Sequence, residues 1–436
     1  MKKQIVAGLL AVSMMAGCGA TADISGGDAG HGSFRSQGAR NVTADAPEIE
    51  VEAGNPGNEQ ISSLSASSFE LLQRVAASEG AGSNVLISPT SMMMAFGMLE
   101  NGAGGETLTQ IENTFGSIPV SEMNPMMYSM AQRFNEAGDV KWNVANSVWF
   151  KEDGSVEVIP DFATAVKNYY GADIWGAPFD ESTLADINGW VNYETLGMIP
   201  SILDQIPESA RMYLINAMAF EGEWMNEYEK SDVIEAQLFT NYDNSTSEVT
   251  MLFSRENTYF EIAGGTGFIR PYKGGEYSFV GILPEEGTTV EDFLAGLAAN
   301  GDQFADAVRN PEYNYENVLV KIPEFEYDYF KEMSKVLQDM GMELPFDAYN
   351  ADLSGMLRAA NDSEYNTYVS RVLHKTYIKV DREGTRAAAV TAIEISDACV
   401  AVGEPPVTVY LDRPFVYGIV DNATGLPVFL GTVNQL

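Results

Sequence analysis

The chain has 436 residues, 45% of them apolar, with 62 acidic against 25 basic side chains and a formal net charge of −37. Such a charge repels a phosphate backbone over most of the surface, which argues against nucleic-acid partners and favours solubility. Only two cysteines and two histidines are present, too few for the usual Cys/His zinc sites, and no metal or other cofactor is expected.

Residues 1–18, MKKQIVAGLLAVSMMAGC, combine two lysines, an apolar run from Ile5 to Met15 and a small-residue exit. That is the layout of a secretory signal, too short for a stable membrane span. Met15, Ala16, Gly17 and Cys18 resemble a bacterial lipobox, with Met where Leu is usual. Cys18 would then become the lipidated first residue of the mature protein, leaving Cys399 without an intramolecular disulfide partner. The expected location is that of an exported lipoprotein anchored to the outer membrane, on its periplasmic or cell-surface side. An ordinary signal peptide with a stray cysteine is the plainer alternative.

Residues 19–60 shift to Gly, Ala, Ser, Asn and acids with almost no aromatics, and predict a flexible tether without a core; His31 lies in it. From residue 61 to 436 helical and strand-like patterns alternate without a second linker or an internal repeat, which predicts one large α+β domain. Its helical run from Ser91 to Leu99 carries Met92, Met93 and Met94 as packing residues. Gly102, Ala103, Gly104 and Gly105 lack the Gly-Lys-Ser/Thr ending of a phosphate-binding turn and read as a loop between helices. A hydrolase with a histidine base would have to use His374, and no G-x-S-x-G elbow accompanies it, so an enzyme is not expected.

The most informative stretch is residues 379–406. One row of alternate positions holds Thr385, Ala387, Ala389, Thr391, Ile393 and Ile395; the other holds Arg386, Ala388, Val390, Ala392, Glu394 and Ser396. A period of two with small side chains after a glycine hinge suits a strand that can enter a sheet late.

Six segments, in order, resemble one family. Residues 84–116 contain NVLISPTSMMMAFGMLENGAGGETLTQIENTFG, similar to the serpin segment in which an Asn-x-x-x-Ser-Pro-x-Ser turn opens a buried helix. Residues 215–224, INAMAFEGEW, resemble the long central strand of the serpin sheet and the tryptophan at its upper end. PYKGG at 271–275 and residues 335–356 resemble later serpin elements. Residues 372–389, VLHKTYIKVDREGTRAAA, are similar to the strand and hinge that lead into the reactive loop, and residues 412–433 to the carboxy-terminal signature.

The resemblance implies a serpin fold: a large central β-sheet that can accept the reactive loop as an extra strand, further β-sheets, and about eight or nine helices. It assigns Ser88, Ser91, Asn216 and His374 to the shutter, a polar patch beneath the sheet, and Trp224 to the breach above it. It makes Gly384, Thr385, Arg386, Ala387, Ala388, Ala389, Val390 and Thr391 the hinge of a reactive loop at about 384–406, with Thr385 facing inward and Arg386 facing water. Serpins usually carry Glu at the position of Arg386. Family spacing puts the reactive bond between Ala398 and Cys399, with Val400 and Val402 as alternatives. The implied activity is suicide inhibition of a protease, by capture of a covalent acyl complex while the loop stays out until it is cut. Small or aliphatic candidates before the bond favour elastase-like or subtilisin-like serine proteases; papain-like cysteine proteases and a non-inhibitory, chaperone-like binding role are the alternatives. Between Gly116 and Lys141, Arg133 stands alone among acids, so no heparin-type cofactor is expected, and the chain reads as a monomer.

Overall fold

Nine consecutive buried residues, Met212 to Phe220, mark a strand covered on both faces, since a sheet with one face in water would alternate. This strand lies near the middle of the main sheet. In the computed structural model the described residues are 34–360, 366–385 and 405–436, and residues 36–436 form one compact unit. The main sheet has the spatial order β1 (Arg40–Asn41), β5 (Asp173–Ala177), β3 (Val140–Lys151), β6 (Met212–Glu223), β15 (Gly384–Thr385), β14 (Arg371–Val380) and β12 (Phe325–Glu332). A second sheet runs β16 (Val407–Tyr410), β11 (Glu312–Pro323), β8 (Thr246–Ile262), β9 (Gly265–Pro271), β10 (Tyr277–Pro284), β17 (Phe415–Asp421), β18 (Pro427–Val433) and β2 (Val85–Ile87), with β7 (Val233–Thr240) also paired to β8. β4 (Val156–Val158) and β13 (Leu357–Ala359) form a small ladder of their own.

Nine α-helices occur among the described residues: α1 (Asn58–Glu79), α2 (Pro89–Glu100), α3 (Gly105–Thr114), α4 (Val120–Glu136), α5 (Pro160–Tyr170), α6 (Glu181–Glu194), α7 (Val290–Ala299), α8 (Gly301–Arg309) and α9 (Ser334–Asp339). The expected α+β architecture, with its large sheet and its helix number, is therefore present. α2 starts two residues earlier than its apolar run suggests, because Ser88 caps it by accepting from the Ser91 N–H at 3.1 Å and Pro89 supplies a preset first turn. Every residue of α2 is buried. It packs on β3 and β6 on one side and β18 on the other, with Met92, Met93 and Met94 filling that space. The glycine-rich run 102–105 links α2 to α3, as expected.

The middle of the main sheet is closed by direct parallel pairing of β6 with β14, from Arg371↔Tyr213 to Tyr377↔Ala219. Above Tyr377 the two strands part, and β15 stands between them. It is antiparallel to both, with Gly384↔Glu223 and Thr385↔Gly222 on one side and Val380↔Thr385 on the other.

The expected tether over 19–60 needs correction at its carboxy-terminal end. Residues 36–57 lie on the domain, and α1 begins at Asn58. β1 extends the sheet edge through Arg40↔Gly176 and Asn41↔Trp175, and the Val42 N–H donates to the Ile174 carbonyl at 2.7 Å. Further along, Lys167 donates to the Ala46 carbonyl at 2.7 Å, and the Gly54 N–H reaches Pro125 at 3.0 Å. Composition missed this segment because main-chain and polar hydrogen bonds supply much of its attachment, and small residues do not advertise those bonds.

Candidate functional site: the seam between β6 and β14

The register of the main sheet lines up three polar residues across neighbouring strands. Asn146 on β3 faces Asn216 on β6, and Asn216 faces His374 on β14. Beneath them the start of α2 brings Ser88 and Ser91 into the same patch. All five are buried. The Ser88 N–H donates to His374 Nε2 at 3.0 Å, which places the ring proton on Nδ1, where it is given to Asn216 Oδ1. The Asn216 amide donates to the Ser91 carbonyl at 2.6 Å, to the Ser91 hydroxyl, and to Asn146 Oδ1 at 2.7 Å. The Ser91 hydroxyl donates to Asn146 at 3.2 Å, and the Ser88 hydroxyl to the Val428 carbonyl at 2.8 Å.

Burial drives the His374 pKa down from its usual range to about 3, so the ring is neutral and can give one hydrogen bond while accepting another. The structure thus brings together the four shutter residues that were assigned by resemblance, Ser88, Ser91, Asn216 and His374. It adds Asn146. In the sequence Asn146 sits inside an ordinary strand, and only the cross-strand register reveals its part.

At the top of the seam, Trp224 is fully buried and stacks on Tyr272, with ring centroids 4.8 Å apart and planes 8° from parallel. Its indole N–H donates to the Asp381 carbonyl at 2.9 Å and its backbone N–H to the Glu383 carbonyl at 3.2 Å. The turn before β15 is thereby tied to the end of β6. The buried Arg270, paired with Glu256, lies 5.1 Å from the Trp224 ring and 4.0 Å from that of Tyr228. Arg382 grips Glu324 with Nε 3.1 Å from Oε1, joining the same turn to the end of the neighbouring strand.

Two residues of the hinge fall within the described structure. A Cβ on Gly384 would lie 2.1 Å from the Gly222 carbonyl oxygen and 2.8 Å from the Glu223 Cα, so only glycine fits against β6 here. Thr385 faces inward, is 1% exposed, and shares a 2.6 Å hydrogen bond with the Tyr272 hydroxyl. The expectation that the loop stays out of the sheet therefore needs amendment at its first two residues, which already occupy the gap. The gap exists because β6 and β14 diverge, and the threonine hydroxyl finds a buried partner in it. Tyr272 lies in the quoted PYKGG segment, yet its pairing with a residue 113 positions away was not legible there.

Arg386, Ala387, Ala388, Ala389, Val390 and Thr391, the reactive-bond candidates Ala398, Cys399, Val400 and Val402, and Cys18 with His31 lie outside the described residues. Arg133, the isolated base of residues 116–141, is engaged with Asp421 at 3.1 Å. Among the described residues no cluster of three or more His, Cys, Asp or Glu could hold a metal ion.

A two-sheet α+β body, a glycine-led strand in the mouth of the main sheet and a polar seam below it define the class: the chain belongs to the serpin (serine protease inhibitor) family, whose sequence model matches residues 62–436. Leukocyte elastase inhibitor A of Rattus norvegicus is 31% identical over 398 residues, covering 86% of this chain and 99% of that protein. The leukocyte elastase inhibitor of Homo sapiens is 28% identical over 362 residues, covering 80% and 92%. Among solved structures, the thermophilic serpin tengpin in its native state is 37% identical with a TM-score of 0.84, covering 92% of this chain and all of that one. Tengpin in its latent state is 38% identical with a TM-score of 0.74, covering 88% of this chain and all of that one. Family membership supports protease inhibition in general, with a protease as the class of partner.

Proposed function

We propose that this protein is a suicide-substrate inhibitor of serine proteases with elastase-like or subtilisin-like specificity, acting as a monomer. The protease serine attacks the carbonyl of the residue before the scissile bond, Ala398 by family spacing. The C–N bond breaks, the new amine leaves with the carboxy-terminal half of the loop, and an ester links the other half to the enzyme. The cut strand then continues from Thr385 down the seam between β6 and β14, carrying the enzyme with it and distorting its active site before water can cleave the ester.

The observation that carries this reading is the placement of Gly384 and Thr385 between β6 and β14, with the row Asn146, Asn216 and His374 directly ahead. A polar row suits a seam that must open, because hydrogen bonds that can be exchanged with an arriving strand lower the cost of parting the sheet. The small residues 387–389 and Thr391 next in sequence suit the same passage. The elastase-like preference rests on the aliphatic loop tip and on the likeness to the leukocyte elastase inhibitors.

Mixing the purified domain with elastase-type and subtilisin-type enzymes should give complexes that survive SDS and boiling. Clean loop cleavage with full protease activity left would overturn the reading. We further propose that lipidated Cys18 anchors the domain at a bacterial outer membrane. Cys18→Ser should then shift the protein from the membrane fraction to the soluble one, and an unchanged partition would remove the anchor.

A further inference from the structure

The lowest rung of the β6 and β14 ladder pairs Tyr213 with Arg371. Both stand at odd positions of their strands, so they point to the face opposite that of Asn216 and His374. Tyr213 is fully buried, with the ring of Phe179 5.4 Å from its own, and its hydroxyl has no hydrogen-bond partner. A buried hydroxyl without a partner costs free energy, so its presence calls for a reason. Burial raises the Tyr213 pKa and the Arg371 guanidinium draws it back, which sets the guanidinium close by, although no hydrogen bond of ordinary geometry joins the two. Among the described residues no carboxylate is in ion-pair contact with Arg371, and the neighbouring Glu332 is occupied by Ser334 and the Val372 N–H. In a chain with 62 acidic against 25 basic side chains, an arginine without an acid also calls for a reason.

The strand register says what would arrive at this rung. β15 pairs Thr385 with Gly222 on β6 and with Val380 on β14. Nine residues down β6 from Gly222 stands Tyr213, nine down β14 from Val380 stands Arg371, and nine on from Thr385 is Glu394. Two ladders followed separately thus meet at one rung, and it is a rung the closed sheet already pairs. Glu394, which lies outside the described residues, belongs to the row of Arg386. That row alternates with the inward row of Thr385, so it shares the face of Tyr213 and Arg371.

We propose that Arg371 and Tyr213 form a receptor for the carboxylate of Glu394, reached when the cut strand has entered the seam. This rests on the insertion reading above. Directly opposed residues on neighbouring strands have their Cβ atoms about 5 Å apart, so Glu394 would stand between the two. The guanidinium donates to its carboxylate from one side and the tyrosine hydroxyl from the other. Both groups that lack a partner in the closed sheet then gain one, in charge-assisted bonds stronger than neutral ones. Glu394 precedes Ala398 by four residues, so the receptor acts late, after the strand has passed His374, and favours complete over partial entry.

The test compares the intact full chain with the same chain nicked within residues 398–403, by guanidinium unfolding. Glu394→Gln and Arg371→Gln should each leave the intact midpoint unchanged and lower the nicked one, by the equivalent of about tenfold in the folding equilibrium. The double variant should lose no more than either alone. Tyr213→Phe should act in opposite directions: it raises the intact midpoint by removing an unpaired buried hydroxyl and lowers the nicked one, whereas a merely structural tyrosine would lower both. Should Arg371→Gln not fold, Glu394→Gln and Tyr213→Phe carry the comparison without it. Equal midpoints for nicked wild type and nicked Glu394→Gln, or additive losses in the double variant, would overturn the receptor alone. A nicked wild type no more stable than the intact chain would overturn insertion, and the receptor with it.

Discussion

The top and the middle of the β6 and β14 seam are sealed by different means. At the top the strands have parted, and the gap is filled by Gly384 and Thr385 under a stack of Trp224 and Tyr272. In the middle they are paired directly, and the polar residues Asn146, Asn216 and His374 lie across them. Aromatic burial is strong and not exchangeable, so it suits a permanent fulcrum. Hydrogen-bonded amides and imidazole can trade one partner for another, so they suit a joint that opens later. The contrast says where movement should start and what should stay fixed.

The strongest way to break this contrast is Thr385→Arg. A guanidinium forced into the 1%-exposed site beside Tyr272 would be a buried, unpaired charge, and the inhibited fraction should collapse to substrate-like cleavage in a stoichiometry titration. Trp224→Ala attacks the fulcrum and should cost about 3–5 kcal/mol in denaturant unfolding. His374→Ala attacks the joint. It leaves the Ser88 N–H and Asn216 Oδ1 without their partner and should cost about 1–3 kcal/mol.

That variant also has a pH signature. The folded ring titrates at about 3, whereas the unfolded one titrates near its ordinary value, about 6.5. The unfolded chain takes up the proton first, so the stability tied to His374 is complete above about pH 6.5 and is lost as pH falls toward 3. Thermal melts across that window should show a shallower acid slope in His374→Ala than in wild type. Thr385→Val keeps the shape of the side chain but strands the Tyr272 hydroxyl, and should raise hydrogen exchange at Gly384 and Thr385 by a few-fold, about 1 kcal/mol. The smallest effect is expected for Arg386→Glu, which lies on the other row of the strand pattern; an effect as large as that of Thr385→Arg would sink the assignment of faces.

Much of the fold was legible because its signals are local. The Ser-Pro turn before α2, the unbroken apolar run of β6 and the small-residue alternation after Gly384 each lie within a few positions. Ser88, Ser91, Asn216 and His374, which the resemblance assigns to the shutter, were reached through such segments. Asn146 and the partnership of Tyr272 with Thr385 were not, since both depend on strand register between distant parts of the chain. Residues 36–57 were misread for a related reason. Their hold on the domain comes from backbone donors meeting Asp186 and Ile174, and backbone donors are the same in every sequence.

The β6 and β14 ladder is parallel, whereas β15 runs antiparallel to both of its neighbours. A strand continuing downward from Thr385 replaces one slanted ladder with two perpendicular ones, and antiparallel pairing is the slightly more stable kind per residue. On the proposed insertion, every position the strand reached would have two ladders to break on the way back in place of one. This would work as a ratchet: Gly384 and Thr385 already hold the first two places between β6 and β14, and every further residue would make withdrawal harder than advance.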